Sequence, residues 1–240
     1  AKAADTPALD VSRKITRELG AGRGVTWKKL QGFAEEAYGG TLAEGAWTWK
    51  DAYDAMELGV VRYLRSQGWA HPKQDAATAK VTVDRITKEV SDKLPSQTRR
   101  SAESDSFQQF STPPEYAFLA NWLANYQQGD SALEPSAGTG LIAGFMRKGA
   151  SPVWVNELSD RRADLLEQAV GLKPTREDAE QLHNILPKDV RPSVVVMNPP
   201  FSETGGRVAK KQILTGARHV AQALNRLEEG GRLVAIVGRG

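Results

Sequence analysis

Two stretches of this chain combine residue types that could do chemistry at the tip of a strand. The first is SVVVMNPPF, Ser193 to Phe201, where an apolar run meets an asparagine, two prolines and an aromatic ring. Pro199 and Pro200 fix φ and remove two amide donors, so nearby carbonyls can face a ligand without competing N–H groups. The Asn198 side-chain oxygen and the Pro199 carbonyl then form a pair of acceptors suited to a planar amino group. Phe201 offers a face on which a base can stack, a contact worth ~1–3 kcal/mol. An exocyclic amine is a poor nucleophile because its lone pair is delocalised into the ring. Two acceptors pulling on its hydrogens favour a pyramidal nitrogen and localise that pair for attack on a methyl sulfonium, an electrostatic and positional contribution. The competing reading is a proline stop after a buried strand, since Asn-Pro commonly opens a turn.

The second stretch is ALEPSAGTGLIAG, Ala132 to Gly144: a short apolar strand, a turn holding Gly138 and Gly140, and a helix start. Glycines there let the backbone approach a ligand closely. VWVNE follows and puts Glu157 at the end of a second strand, 19 residues after Gly138. A carboxylate so placed can accept from both ribose hydroxyls of an adenosine-containing cofactor. Gly138-Thr-Gly140-Leu-Ile-Ala143 also fits the relaxed dinucleotide fingerprint. Glu134 separates the two options, because an acid at the first strand's tip repels a pyrophosphate but suits the ammonium of an amino-acid moiety. That favours S-adenosylmethionine over a nicotinamide cofactor. In TREDAEQL, Asp178 follows a plausible third strand and would lie beside the cofactor's adenine; a helix N-cap is the other reading.

These residues need a scaffold. At 240 residues, with 40% hydrophobic and 25% charged residues, the chain can bury a substantial core as one large or two small domains. The net charge of +3 and pI of 9.1 lean only weakly basic, and basic and acidic residues nearly balance on either side of Ser106. Any nucleic-acid contact must therefore come from a local patch. There are no cysteines, which excludes thiolate metal sites, disulfides and the thiolate nucleophile that cytosine C5 methylation requires. His71, His183 and His219 have no ligand spacing, so no metal is expected. No stretch has the length of a membrane span and AKAADTPALD lacks the apolar block of a signal peptide; a cytoplasmic protein is the simplest expectation.

Residues 1–100 read as a helical region. VTWKKLQGFAEEAYGG has Trp27, Leu30, Phe33 and Ala34 at helical spacing and ends in a glycine pair. The next helix opens at Thr48 with Asp51 three residues on, close to a capping box. A third, DAATAKVTVDRITKEVSDKLP, is predicted to stop at Pro95, and GAGRG (Gly20–Gly24) reads as a turn. PSQTRRSAESDS has the composition of a linker. Beyond it, residues 101–240 alternate strand and helix, with a short strand near Leu172 and a helix over about Val208–Leu227. This pattern implies an α/β fold: a doubly wound, mostly parallel sheet with helices on both faces.

FSTPPEYAFLANWLA, LEPSAGTG, VNE, EDA and VVVMNPPF, in that order, resemble the N6-adenine DNA methyltransferases of restriction-modification systems and mobile elements. The branch it looks like has a Thr-Pro-Pro segment before the glycine loop, and the resemblance covers roughly Phe107 to Gly240. It implies a class I, Rossmann-like methyltransferase core that binds S-adenosylmethionine. Phe110, Thr112 and Pro113 would line the methionine end. Glu134 with Pro135, Ser136, Ala137, Gly138 and Gly140 would hold the amino-acid portion. Glu157 would take the ribose, and Asp178 with the Ala179 backbone the adenine. Asn198 and Pro199, followed by Pro200, would grip the target amine, with Phe201 stacking on a flipped-out base. The family's sheet normally has seven strands, whereas VAIVGRG reads as the fifth, so a core incomplete at its C-terminus and a further domain, such as a helicase or target-recognition domain, are expected. Arg207, Lys210 and Lys211 could contact DNA phosphates, or form a solvated loop.

Three rivals stay open at this level. The same corner serves N4-cytosine, RNA bases and a protein glutamine amide. A catalytically silent cofactor-binding scaffold would keep the same motifs. A nicotinamide oxidoreductase explains the glycine loop and Glu157, but leaves Thr-Pro-Pro and Asn-Pro-Pro without a role.

Overall fold

The computed structural model describes residues 6–95, 112–199 and 209–237, with side chains in the last segment described from residue 216. Four helices open the chain: α1 (Pro7–Gly20), α2 (Trp27–Tyr38), α3 (Trp49–Ser66) and α4 (Ala76–Glu89). Each starts on a side-chain cap. Thr6, Thr26 and Asp75 accept first-turn amides, and Thr48 with Asp51 forms the full reciprocal box, as its spacing predicts. Gly39 closes α2 at φ 72°, a conformation that disfavours a side chain. The α4 helix stops at Glu89, six residues short of the expected proline. There Val90 leaves helical geometry at φ −121° and buries its side chain, and a 3-10 turn (Ser91–Lys93) carries the chain on.

Gly59 sets the approach of α1 to α3: a Cβ on it would lie 2.6 Å from the Ile15 Cβ. On the other side of α3, Trp27 packs edge-on against Trp49 and Tyr53, with ring centroids 5.5 Å apart in each pair.

After α5 (Pro114–Leu123) come β1 (Ala132–Glu134), α6 (Leu141–Met146), β2 (Val153–Val155), α7 (Asp160–Val170), α8 (Leu182–Ile185), β3 (Val194–Met197), α9 (Ala209–Arg226) and β4 (Arg232–Ala235). All the strand pairings are parallel, in the order β2-β1-β3-β4. The strand expected near Leu172 is reduced to one parallel bridge, Thr175 beside Asn156. Thr175 makes both main-chain bonds there, its N 3.0 Å from the Val155 oxygen and its oxygen accepting from the Glu157 amide at 3.0 Å; beyond it the Asn156 side chain takes the Glu177 amide and carbonyl in place of a further ladder.

Alternation along the strands divides the core. Ala132, Val194 and Val196 pack on the side of α5, α6 and the N-terminal helices, while Leu133, Val195 and Met197 pack against α8 and α9. The sheet is thus doubly wound and Rossmann-like, and its order reverses between β1 and β3. The crevice beyond their C-terminal ends is where such sheets take ligands.

The helical region docks directly on this half. The Trp69 ring lies 4.7 Å from that of Phe145, centroid to centroid. Arg65 Nη1 donates to the Ala169 oxygen at 2.8 Å and Trp122 Nε1 to the Gln74 oxygen at 2.8 Å. The boundary expected near residue 100 lies outside the described residues. Among the described residues no helix is long and apolar enough to cross a membrane.

Candidate functional site

A cavity of about 280 Å³ opens at the C-terminal ends of β1 and β3. One wall is the turn after β1. Its Pro135, Ser136, Ala137 and Gly138 line the cavity, held by the Ala137 amide donating to the Asn156 oxygen at 2.8 Å. The two glycines serve different purposes. Gly138, at φ +57°, faces the cavity, and a Cβ on it would lie 2.7 Å from Arg162 Nη2. Gly140, at φ +93°, turns away from the cavity; a Cβ there would meet Val170 Cγ2 at 2.5 Å. Gly140 therefore lets α7 approach the turn.

Glu134 ends β1 inside the cavity and is 2% exposed, with its Oε2 unpartnered among the described residues. Burial pushes its carboxyl well above the ordinary carboxylate range. The Ala143 amide and Arg162 pull it back, while Glu157 and Glu57 push it further up. Glu157 ends the next lane and braces the turn, accepting from the Gly138 amide at 2.8 Å on Oε2 and from the Ser159 amide at 2.9 Å on Oε1. Each carboxylate oxygen keeps acceptor capacity beyond those bonds. Asp178 and Ala179 line the far end. Asp178 also caps a 3-10 turn through the Glu180 amide, 2.9 Å away, so the capping reading of that residue holds.

The corner after β3 sits opposite. Asn198 Nδ2 donates to Thr112 Oγ1 at 2.8 Å, and its Oδ1 is buried beside the cavity with no partner among the described residues. Pro199 and Thr112 also line the cavity, whereas Pro113 is exposed and serves as the N-cap position of α5. Phe110, Pro200, Phe201 and Arg207 lie outside the described residues, as do the side chains of Lys210 and Lys211.

Sequence reasoning missed four residues here. Asn156 is a fully used amide: Nδ2 donates to the Pro135 and Glu177 oxygens, and Oδ1 accepts from Thr175 and the Glu177 amide. It ties the glycine turn to the bridge lane, and its place directly before Glu157 was the available signal. His219 of α9 lines the cavity with its Nδ1 unpartnered, and burial lowers its pKa. Arg162 and Glu57 line it too, and Glu57 comes from α3, far away in sequence. No local pattern announces that pair. Among the described residues, five carboxylates, on Glu57, Glu134, Glu157, Glu177 and Asp178, and one guanidinium, that of Arg162, thus line the cavity. Among the described residues no group of His, Cys, Asp or Glu is arranged to hold a metal ion.

No family model and no curated protein matches the sequence. Solved structures do share part of the arrangement. TrmN from Thermus thermophilus is 19% identical with a TM-score of 0.44, over 69% of this chain and 57% of that one. A provisionally assigned RNA methyltransferase from Pyrococcus horikoshii is 20% identical with a TM-score of 0.43, over 62% and 67%. Precorrin 8W decarboxylase from Methanobacterium thermoautotrophicum is 16% identical with a TM-score of 0.41, over 55% and 68%. The chain spans little more than half the length of TrmN. At these values the likeness is partial, and the chemistry of the site rests on its own residues.

Proposed function

We propose that this chain transfers a methyl group from S-adenosylmethionine to an exocyclic amine of a nucleobase, with adenine N6 in DNA as the acceptor. One observation carries the reading. Thr112 pairs with Asn198 Nδ2, and Asn198 Oδ1 beside the cavity has no partner among the described residues. An acceptor oxygen fixed in that way, next to the Pro199 carbonyl, is what an amine with two hydrogens needs.

The charge around the cavity supports the cofactor. Five carboxylates against one guanidinium would repel a pyrophosphate, which disfavours the nicotinamide alternative. The same charge attracts a ligand with an ammonium. The orphaned Glu134 Oε2 fits that ammonium, the spare acceptor capacity of Glu157 fits ribose hydroxyls, and Asp178 with the Ala179 backbone fits an adenine edge. When bound, the cofactor supplies an electrophilic methyl. Asn198 and Pro199 orient the amine and draw on its hydrogens, and no covalent intermediate on the protein is required. The choice of DNA rests on the Thr-Pro-Pro segment, with Arg207, Lys210 and Lys211 as the basic residues proposed for its phosphates.

Calorimetry with S-adenosylmethionine and tritium transfer to unmethylated duplex DNA, single strands and RNA test the proposal in the intact protein. Asn198→Ala is expected to lower transfer by ~100-fold or more while leaving cofactor affinity unchanged. Unchanged transfer would remove the assigned role of the corner. Cofactor binding without transfer to any nucleic acid would instead identify a silent binding module.

A further inference from the structure

We propose that Glu57, carried by the N-terminal helix α3, belongs to the cofactor site, where with Glu134 and Glu157 it forms a carboxylate wall that selects the sulfonium-bearing cofactor over its neutral thioether product. This rests on the cofactor reading above and extends it to a part of the chain that has no methyltransferase motif.

The placement comes from a run of ion pairs between α3 and α7. Arg161 pairs with Asp51 and Asp54 on the outer side. One residue further in, Arg162 Nη2 lies 3.5 Å from Glu57 Oε2, and its Nε lies 3.6 Å from Asp54 Oδ1. Glu57 is 8% exposed and lines the cavity; its Oε1 is 3.8 Å from the point a Gly138 Cβ would occupy. It thus reaches the inner surface of the glycine turn from a helix eighty residues upstream (138 − 57 = 81).

Charge decides what this wall prefers. Arg162 can balance one carboxylate of the three, and its guanidinium is shared between Glu57 and Asp54. Among the described residues no cation meets the remaining deficit: Glu134, 2% exposed and unpartnered at Oε2, keeps its proton well above the ordinary carboxylate range until a cation takes its place. A cationic ligand meets that deficit. S-adenosylmethionine carries an ammonium, a carboxylate and a sulfonium, for a net positive charge, whereas S-adenosylhomocysteine lacks the sulfonium and is neutral overall. A wall of fixed carboxylates in a poorly solvated cleft distinguishes the two by charge alone, and its attraction falls once the methyl has left.

Titration calorimetry of the intact protein with S-adenosylmethionine and with S-adenosylhomocysteine is the test. Wild type should bind the cationic ligand ~10-fold more tightly, and Glu57→Gln should reduce that ratio several-fold while the melting temperature of the ligand-free protein stays close to wild type. Equal affinities in wild type overturn the proposal without any variant. An equal loss for both ligands in Glu57→Gln also overturns it, because Glu57 would then only brace Arg162 and the turn. If Glu57→Gln does not fold, Glu57→Asp, which keeps the charge but withdraws it by one methylene, should shift the ratio in the same direction, and an unshifted ratio refutes the role. Binding of neither ligand would instead refute the cofactor reading itself.

Discussion

At the scale of single residues, the site is a set of acceptors held by donors that are not part of the chemistry. Thr112 shows this best. Its hydroxyl takes one side of the Asn198 amide and so pins the group with its other side toward the cavity. Thr112→Val keeps the shape and removes the hydroxyl, leaving Nδ2 unpaired and the amide free to turn. The expected outcome is a ~10- to 100-fold fall in kcat for methyl transfer, with a smaller change in cofactor affinity. Glu134 makes a second case, in which stability and binding oppose each other. Its carboxyl is held well above the usual 4.5, first by burial and then by Glu157 and Glu57, with Arg162 opposing. The native state therefore keeps this proton longer than the unfolded chain does. The stability tied to it is full below the ordinary carboxylate range and is lost as pH rises through the raised value. Glu134→Gln should flatten that loss in thermal melts of the ligand-free protein between about pH 5 and pH 9, while weakening S-adenosylmethionine. A variant whose pH profile parallels wild type would show that Glu134 is not the titrating group. The acids were legible from sequence because each follows a strand and their spacing is local. Thr112 was legible only as part of a motif; its bond to Asn198 joins residues 86 apart, which no spacing rule reaches.

Elements decide how tightly the turn is held. Both glycines were legible as a loop, but their division of labour was not, because it depends on where α7 lies. Gly140→Ala meets both a positive φ and the Val170 side chain. It should cost ~2–3 kcal/mol of stability, read as a lower denaturation midpoint at unchanged slope. A variant as stable as wild type would mean that α7 can withdraw. The missing third strand has a similar lesson. Sequence reasoning saw apolar residues near Leu172 and inferred a ladder, but main-chain pairing is confined to Thr175, and Asn156 replaces the lost ladder with three side-chain bonds to Thr175 and Glu177. Periodicity finds strands that ladders hold; it does not find a lane held by one amide. Cap signals fared better: Thr48 with Asp51 and Gly39 stand where their types predict.

Across the whole molecule, the two regions separated by composition share a core. Residues of α1, α3, α5, α6 and the strands fall in one hydrophobic cluster. With Trp122 and Trp154 replaced by Phe, the remaining tryptophans (Trp27, Trp47, Trp49 and Trp69) report on the helical region, while far-UV circular dichroism reports on the whole chain. Their thermal or denaturant transitions should coincide in the ligand-free protein, and two resolved transitions would show the regions to be independent. The alternation of strand and helix was legible because each unit is local. The docking was not, because it depends on pairs such as Arg65 with the Ala169 carbonyl, 104 residues apart.

The seat of Trp69 has a practical corollary. A Cβ on Gly144 would stand 2.1 Å from the indole, so α6 offers a bare stretch of backbone that the indole covers like a lid on a socket. A dissection that expressed only the sheet-bearing half would strip that cover and leave an oily notch, flanked by Phe145, open to water. Such a piece would be prone to clump in the test tube, so poor behaviour of the isolated half would be a sign of a missing neighbour and not of a faulty catalyst.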